Sequence, residues 1–473
     1  MKLKTSDFLL SRKAELQQIV DILGREFSYV SILGADVSGK SYAVRSSGFS
    51  IKPSEDSQRG FVVRVFQENG FSEYSFNDLD VKRVCERVRE IAKADRLAFL
   101  KNNSPVNYPK APTDEKADHF FVGEAEQLPT QDNPKEILEK MSEAHDRVKA
   151  NYSQVVQLIL EMSVVQVNKI FLSKNKDLYQ SYAFAIGASA AIASDGENTQ
   201  QDMITKSGIC GLEMVDELES MADIASKRAE ELLHAESIEA GEYDIICDPE
   251  FTGLIAHEAF GHGAEMDMFV KNRAKGQEYL NQRVASDKVV MHDGACACEE
   301  VSSYLFDDEG NLGKDTVIIQ NGILKHGMCD ELSAILLGIE PTGNGKRESY
   351  KRKAYTRMTN TFFEEGSDSL EDMIASIKFG YLLEGFSSGM EDPKNWGIQC
   401  VASKAREIVD GKLSGKIVSP VYLTGYVPEL LESISMVSPG IVLSGAGHCG
   451  KGWKELVRTS MGGSYIKARG RLS

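Results

Sequence analysis

Between Gln154 and Ser194 the chain offers three strand-forming runs almost back to back, "QVVQLILEMSVVQV", "KIFLSK" and "YQSYAFAIGASAAIAS". Runs so rich in β-branched, aromatic and small residues need sheet neighbours, and that requirement dominates the fold of the first half. Two earlier stretches, "YVSILGADVSGKSYAVRSSGFSI" and "GFVVRVFQENGFSEYSF", read as further strands with Gly-rich turns. Helical periodicity surrounds them: an amphipathic segment from about Ser6 to Arg25, "VKRVCERVREIAKA" with Asn77 or Asp78 as its cap, "PKEILEKMSEAHDRVKA", and "VDELESMADIASKRAEELLHAE". Lys101 to Asn133 is rich in Pro, Asn, Asp and Thr and reads as a long connection. The pair Gly241 and Glu242 marks a boundary, beyond which turns alternate with short strands. The expected class is therefore α+β with two domains: residues 1–240, mixed helix and antiparallel sheet, and residues 241–473, rich in β-structure.

The 473 residues are 42% hydrophobic and 26% charged, enough for proper cores and unlike a disordered chain. Lys+Arg 54 against Asp+Glu 71 gives a net charge of -17, so the average surface repels nucleic acid and anionic lipid. The first residues, "MKLKTSDFLLSRKAELQQIV", hold too short an apolar run for a secretory signal, and no stretch approaches a membrane span. A cytoplasmic location is expected. The eight cysteines follow no framework spacing and read as reduced thiols.

"GADVSGKS", Gly34 to Ser41, spells a phosphate-binding loop after a strand-like run. That chemistry needs the loop to open a helix whose N-terminus holds the phosphates. "YAVRSSGFS" follows instead, so the reading is a hairpin with Asp36 to Gly39 at its turn, and a nucleotide hydrolase is the lesser alternative.

"IAHEAFGHGAEMD" carries His257, Glu258 and His262. Asp248 and Pro249 open a helix, as a capping side chain followed by proline at the first helical position, and Gly263 is a natural stop. In a regular α-helix a five-residue spacing turns two side chains about 140° apart, whereas the four-residue spacing of zinc proteases leaves about 40°. Two unrelated histidines, one in the core and one exposed, is therefore one reading. The other is a metal site, which requires the helix to be bulged by a π-type turn or broken near Gly261, between Glu258 and His262. A zinc site also needs a third protein ligand. Glu265, His292, Cys296, Cys298, His448 and Cys449 are the candidates, with Cys296 and Cys298 read as same-facing positions of a strand.

"HEAFGH" with Glu265, "PTGNGKRESY" from Pro341, "RMTNTFF" from Arg357, "SISMV" from Ser433 and "CGKG" from Cys449 together resemble the TldD/PmbA family, in its metal-bearing TldD branch. The resemblance is strong from about Tyr243 onward and runs in outline through the first half. It implies a zinc-dependent peptidase acting on peptides or unfolded chains, with the histidine helix in a catalytic C-terminal domain. It also implies His257, His262 and Cys449 as ligands of Zn2+ and Glu258 as general base. Glu265 reads either as an orienting carboxylate behind a ligand histidine or as a solvated or helix-capping one. Members pair as dimers around a cavity, some with a metal-free relative, so a homodimer or such a heterodimer is expected. A non-catalytic peptide-binding partner subunit is the competing reading within the family; the intact metal motif speaks against it.

An extended peptide is expected to add as a strand to a sheet edge near the metal. The basic run "KRESYKRKAYTR", Lys346 to Arg357, lines the cavity, binds a carboxylate terminus, or is a solvated loop. The family's older label as a modulator of DNA gyrase suggests nucleic acid, but the charge of -17 argues against direct contact. Three features depart from the family pattern: the acidic turn "DDEGNLG" at Asp307, without the proline common soon after it in relatives; the thiol pair Cys296 and Cys298; and the basic tail "WKELVRTSMGGSYIKARGRLS".

Overall fold

The computed structural model describes residues 1–101, 106–452 and 454–473. Asn102 to Pro105 of the expected connection and Trp453 of the basic tail lie outside the described residues. The strand-forming runs of the first half, joined by β5 from the stretch expected to be a connection and by β8, which no run marked, build one eight-stranded sheet: β1 (Tyr29–Arg45), β2 (Gly48–Pro53), β3 (Gln58–Gln67), β4 (Gly70–Phe76), β5 (Ala117–Val122), β6 (Val155–Ser173), β7 (Lys176–Ser194) and β8 (Thr199–Gly208). Its order is β4-β3-β1-β6-β7-β5, with β2 added to β1 and β8 to β7. β5 pairs in parallel with β7, while β1, β6 and β7 are antiparallel neighbours along most of their length.

Two expectations need correction. The runs ending at Val167 and starting at Lys169 are one strand, β6, which pairs continuously through Asn168 with both β1 and β7. The hairpin expected at Asp36 to Gly39 does not form; β1 runs straight through it, and the turn falls between Arg45 and Gly48. The reason lies across the sheet. A Cβ on Gly39 would stand 2.6 Å from the Val164 carbonyl oxygen, so this glycine permits close approach of two strands instead of a turn. The nucleotide-loop spelling thus has no helix behind it, and Lys40 Nζ is engaged by Asp132 at 2.5 Å.

The first expected helix is broken into α1 (Asp7–Leu10), capped by Ser6, and α2 (Lys13–Leu23). Neither Asn77 nor Asp78 caps α3 (Val81–Lys101): Asp80 Oδ1 accepts the Arg83 N–H at 2.8 Å and does so instead. Leu9, Leu16, Ile19, Val84 and Val88 of these helices share a core with Ile32, Phe61 and Ile170 of the sheet. α4 (Pro134–Asn151) and α5 (Leu218–Leu232) bury Met141, Val148, Leu218 and Ala225 against Leu158, Leu160 and Met162 of β6.

From Gly241 the described residues build two large sheets and two two-stranded ones. β9 (Gly241–Cys247) lies inside a nine-stranded sheet, between the antiparallel strand Ile466–Leu472 and the parallel strand Phe379–Glu384. A six-stranded sheet includes Met291–Asp293, Thr316–Gln320 and Asn360–Phe363. The helix that starts at Pro249 shares one apolar core with both: Phe251, Leu254, Ile255 and Phe260 pack with Ile245 and Leu383 of the larger sheet and Met291 and Ile319 of the smaller.

The acidic turn at Asp307 is buried against the first sheet. Arg64 Nη1 donates to Glu309 Oε1 at 2.5 Å, Lys169 Nζ to Asp308 Oδ1 at 2.5 Å, and Gln180 Nε2 to the Phe306 carbonyl at 2.9 Å. Among the described residues no helix is long and apolar enough to cross a membrane.

Candidate metal centre

Asp248 opens the central helix, its side chain accepting the Phe251 N–H at 2.8 Å, with Pro249 at the first position. Only Pro249–Leu254, α6, is α-helical; Ile255–Gly261 is a π-helix, and His262–Ala264 is a 3-10 turn. The His262 N–H donates to the His257 carbonyl, five residues back. This wider turn accommodates the extra residue of the motif and brings two imidazoles together that an α-helix would aim apart. Gly261 is what allows it: a Cβ there would stand 2.4 Å from Met358 Sδ and 3.1 Å from the Ala256 carbonyl oxygen.

His257 Nε2 lies 3.3 Å from Cys449 Sγ, and His262 Nε2 lies 3.4 Å from the same sulfur. Tetrahedral zinc with its usual Zn–N and Zn–S lengths separates nitrogen from sulfur by about 3.5 Å, so the donor set has the spacing and chemistry of a zinc site. Among the described residues this is the one group of three His, Cys, Asp or Glu side chains with metal-holding geometry, its donor atoms within 4.8 Å of one another. Burial works against the Cys449 thiolate, yet His257 and His262 bring its pKa down to about 4. Burial likewise works against a charged His262, while Cys449 and Glu265 raise its pKa.

Glu265 stands behind the second histidine. Its Oε2 is 3.3 Å from His262 Nδ1 and 3.2 Å from Lys451 Nζ. Burial disfavours its charge, but Lys451, His262 and Arg357 hold its carboxyl well below the usual range. Glu258 turns its carboxylate toward the same space, with Oε2 4.0 Å from His262 Nε2. The edge strand Ser388–Asp392 of the nine-stranded sheet passes directly against it, and a Cβ on Gly389 would be 2.7 Å from Glu258 Cγ.

Cys449 comes from a separate hairpin, His448–Lys451 paired with Lys454–Arg458, which among the described residues joins neither large sheet. Arg357 Nη2 donates to the Cys449 carbonyl at 2.7 Å and Nη1 to the Glu455 carbonyl. Lys451 Nζ donates to Asp267 Oδ1 at 2.7 Å and the Thr356 carbonyl at 2.9 Å. Asp56, from the loop between β2 and β3, accepts from Arg458. Burial opposes the Asp56 charge, but hydrogen bonds from His448 and Arg458 bring its pKa down to about 2.

The other candidate ligands stand elsewhere. His292 is held between Asp315 (2.7 Å) and Glu364 (2.8 Å), and His448 faces Asp56. Cys296 and Cys298 lie in a turn after Asp293 and not on a strand, so they do not alternate along one face. Burial pushes both thiols up, Cys298 to about 12, which leaves them protonated. The basic run divides. Lys351, Arg352 and Lys353 are exposed, but Arg347 pairs with Glu73 at 2.6 Å and Arg357 is buried under the hairpin, so a solvated loop describes only its middle. Lys346 and Arg347 line a cavity of about 290 Å³ between the first sheet and the second half, and burial lowers Lys346 to about 7. Reasoning from sequence did not single out Asp56, Met358, Gly389 or Lys451. Lys451 belongs to the "CGKG" block and Met358 to "RMTNTFF"; the other two carry no local signal.

Residues 240–469 match the family model described as the PmbA/TldA metallopeptidase C-terminal domain. The chain is similar to a protein named metalloprotease from Methanothermobacter thermautotrophicus, 30% identical over 71% of this chain and 73% of that one. It is also similar to a protein named zinc metalloprotease TldD homolog from Saccharolobus solfataricus, 27% identical over 82% of this chain and 85% of that one. In fold it resembles the crystal structure of TldE from Thermococcus kodakarensis, with a TM-score of 0.75 at 18% identity, covering 97% of this chain and 99% of that one.

Proposed function

Because this chain belongs to the TldD/PmbA family, we propose that it is a zinc-dependent peptidase, with His257, His262 and Cys449 as metal ligands and Glu258 as general base. The observation that carries the proposal is the π-turn, which faces both imidazoles to one sulfur at 3.3 and 3.4 Å. When bound there, zinc would supply Lewis acidity, bringing the pKa of a water to about 7 and polarising the scissile carbonyl. Glu258 adjoins a ligand without being one, so its carboxylate is free to take the proton of the attacking water and return it to the leaving amine. Glu265 accepts from His262 Nδ1, which orients that imidazole and leaves Nε2 for the metal.

The substrate is proposed to be an extended peptide or unfolded chain laid along the edge strand Ser388–Asp392, whose Gly389 brings backbone next to Glu258. The family relationship and the fold likeness to TldE support a dimer, with a second copy or a metal-free relative. The sheets built from 29–208 and from 241 onward support a division into an N-terminal domain, 1–240, and a metallopeptidase domain, 241–473.

Glu258→Gln tests the assignment. It should retain zinc by metal analysis and cleave an unstructured peptide roughly 10²- to 10⁴-fold more slowly. Undiminished cleavage would refute Glu258 as the base.

A further inference from the structure

Among the described residues the hairpin that carries Cys449 pairs with no other strand, so side-chain bonds fix where its sulfur sits. Arg357, Lys451 and Lys346, which donates to the Arg458 carbonyl, all come from the second half of the chain. Asp56 comes from the first half and acts at a different point. His448 and Arg458 face each other across the two strands, one pair away from Cys449 and Val457. The Asp56 carboxylate meets both: Arg458 Nη2 donates to Oδ2 at 2.9 Å, Arg458 Nε lies 3.3 Å from each oxygen, and His448 Nε2 stands 3.5 Å from Oδ1. Arg458 Nη1 continues the chain of bonds to the Ala446 carbonyl at 3.0 Å, three residues before Cys449.

The Asp56 loop is itself fixed. The Ser54 N–H donates to the Gly39 carbonyl at 2.9 Å, the Ser57 N–H to the Ser54 carbonyl at 3.1 Å, and the Tyr350 N–H to Gln58 Oε1 at 2.8 Å. Gly39, the last glycine of the nucleotide-loop spelling, thereby anchors this loop to the sheet. Asp56 and Arg458 are each only 17% exposed, so their ion pair is shielded from most of the solvent that weakens surface pairs.

We propose that Asp56 is a positioning residue for the metal thiolate: through its bonds across the hairpin base, the first half of the chain sets the place of Cys449 Sγ against His257 and His262. This inference rests on the reading of Cys449 as a ligand. Outer residues that hold ligands in place typically change metal affinity 10- to 100-fold, and Asp56 should act in that range.

The test uses the full-length chain loaded with Co2+, whose thiolate-to-metal absorption reports Cys449 bonding independently of activity. Asp56→Asn should bind Co2+ roughly 10- to 100-fold more weakly and lose the thiolate band at concentrations that saturate the parent. Asp56→Glu should recover part of both. Arg59→Gln, which removes the Arg59–Asp36 pair of the same sheet, should change neither. Parent affinity and an unchanged band in Asp56→Asn would overturn the inference, as would an equal loss in Arg59→Gln. Should Asp56→Asn fail to fold, Arg458→Gln carries the same expectation and the same refutation. A parent protein that binds Co2+ without a thiolate band would instead overturn the Cys449 assignment itself.

Discussion

The proposed centre draws its donors from two pieces of chain that are held in opposite ways. The helix of His257 and His262 is immersed in apolar side chains; Phe251, Ile255, Ala256, Ala259 and Phe260 are fully buried around it. Among its described residues the hairpin of Cys449 contributes only Cys449 to that core, and it hangs on the charges of Asp56, Arg357, Lys451 and Arg458. Packing fixes the backbone of the histidine helix whether or not any charge is present. The thiolate is placed by ion pairs whose strength changes with protonation and salt, so the hairpin is the adjustable side of the centre.

Removing a charge should therefore damage the hairpin more than the helix. Lys451→Met leaves Glu265 and Asp267 without their shared cation in a site where Lys451 is 18% exposed. A cost of about 3 kcal/mol is expected, read by chemical denaturation, together with faster loss of metal to a chelator. Hydrogen exchange should locate the loosening in the hairpin strands and leave the amides of Phe251 to Phe260 protected. Equal deprotection of the helix would remove the distinction between the two pieces.

The helix has its own titrating group, and its sign is opposite. Burial raises Asp248 to about 6, above its ordinary value, so the folded state holds the proton more tightly than the unfolded chain. The resulting stability is fully present below about pH 4 and is lost as pH rises through 6, about 3 kcal/mol in all. Asp56, lowered to about 2, contributes stability that is present above about pH 4 and is lost as pH falls toward 2. Unfolding of Asp248→Asn at about pH 4.5 and pH 8 should show a smaller fall than the parent, the remainder coming from other buried carboxyls such as Glu250, which burial raises to about 7. A parent and variant with the same pH slope would mean that Asp248 does not set it.

Sequence made the strand-forming runs of the first half legible because their composition suits nothing else, but it misjudged where they stop. β1 passes straight through Gly39 because of the Val164 carbonyl, a contact with a residue 125 positions away that no local pattern records. The helix distortion was legible, since a five-residue spacing with glycine before the second histidine has few ways to bring two imidazoles together. Cys449 was different. Spacing left six candidate partners, and the family resemblance, not the residues alone, singled out the one that stands against both histidines across 192 and 187 positions of chain. Asp56 had no signal at all: in "PSEDSQ" it reads as any acidic loop residue, and its meaning appears only when β2 and β3 carry it to Arg458.

The smallest expected effect probes the helix alone. Gly261→Ala adds one methyl group with backbone angles that suit any residue, φ -59 and ψ -53, so conformational strain does not enter. Alanine's better helix propensity favours the variant by up to about 1 kcal/mol, while overpacking against Met358 Sδ and the Ala256 carbonyl opposes it by about 1–3 kcal/mol. Net stability should therefore fall by only about 1 kcal/mol. Co2+ affinity should fall further than that small change implies, because the methyl group pushes at the turn that places His262 against Cys449. Combining Gly261→Ala with Met358→Ala separates the causes. The second change opens a cavity and lowers stability by a further 2–5 kcal/mol or so, yet it should restore the metal affinity if the methyl–sulfur clash is what displaced His262. If affinity stays low in the double variant, the Ala256 carbonyl is the obstacle and Gly261 is required by the π-turn backbone itself. If Gly261→Ala alone binds Co2+ as the parent does, the turn does not depend on glycine, and packing of Ile255, Ala259 and Phe260 suffices to hold both histidines in place.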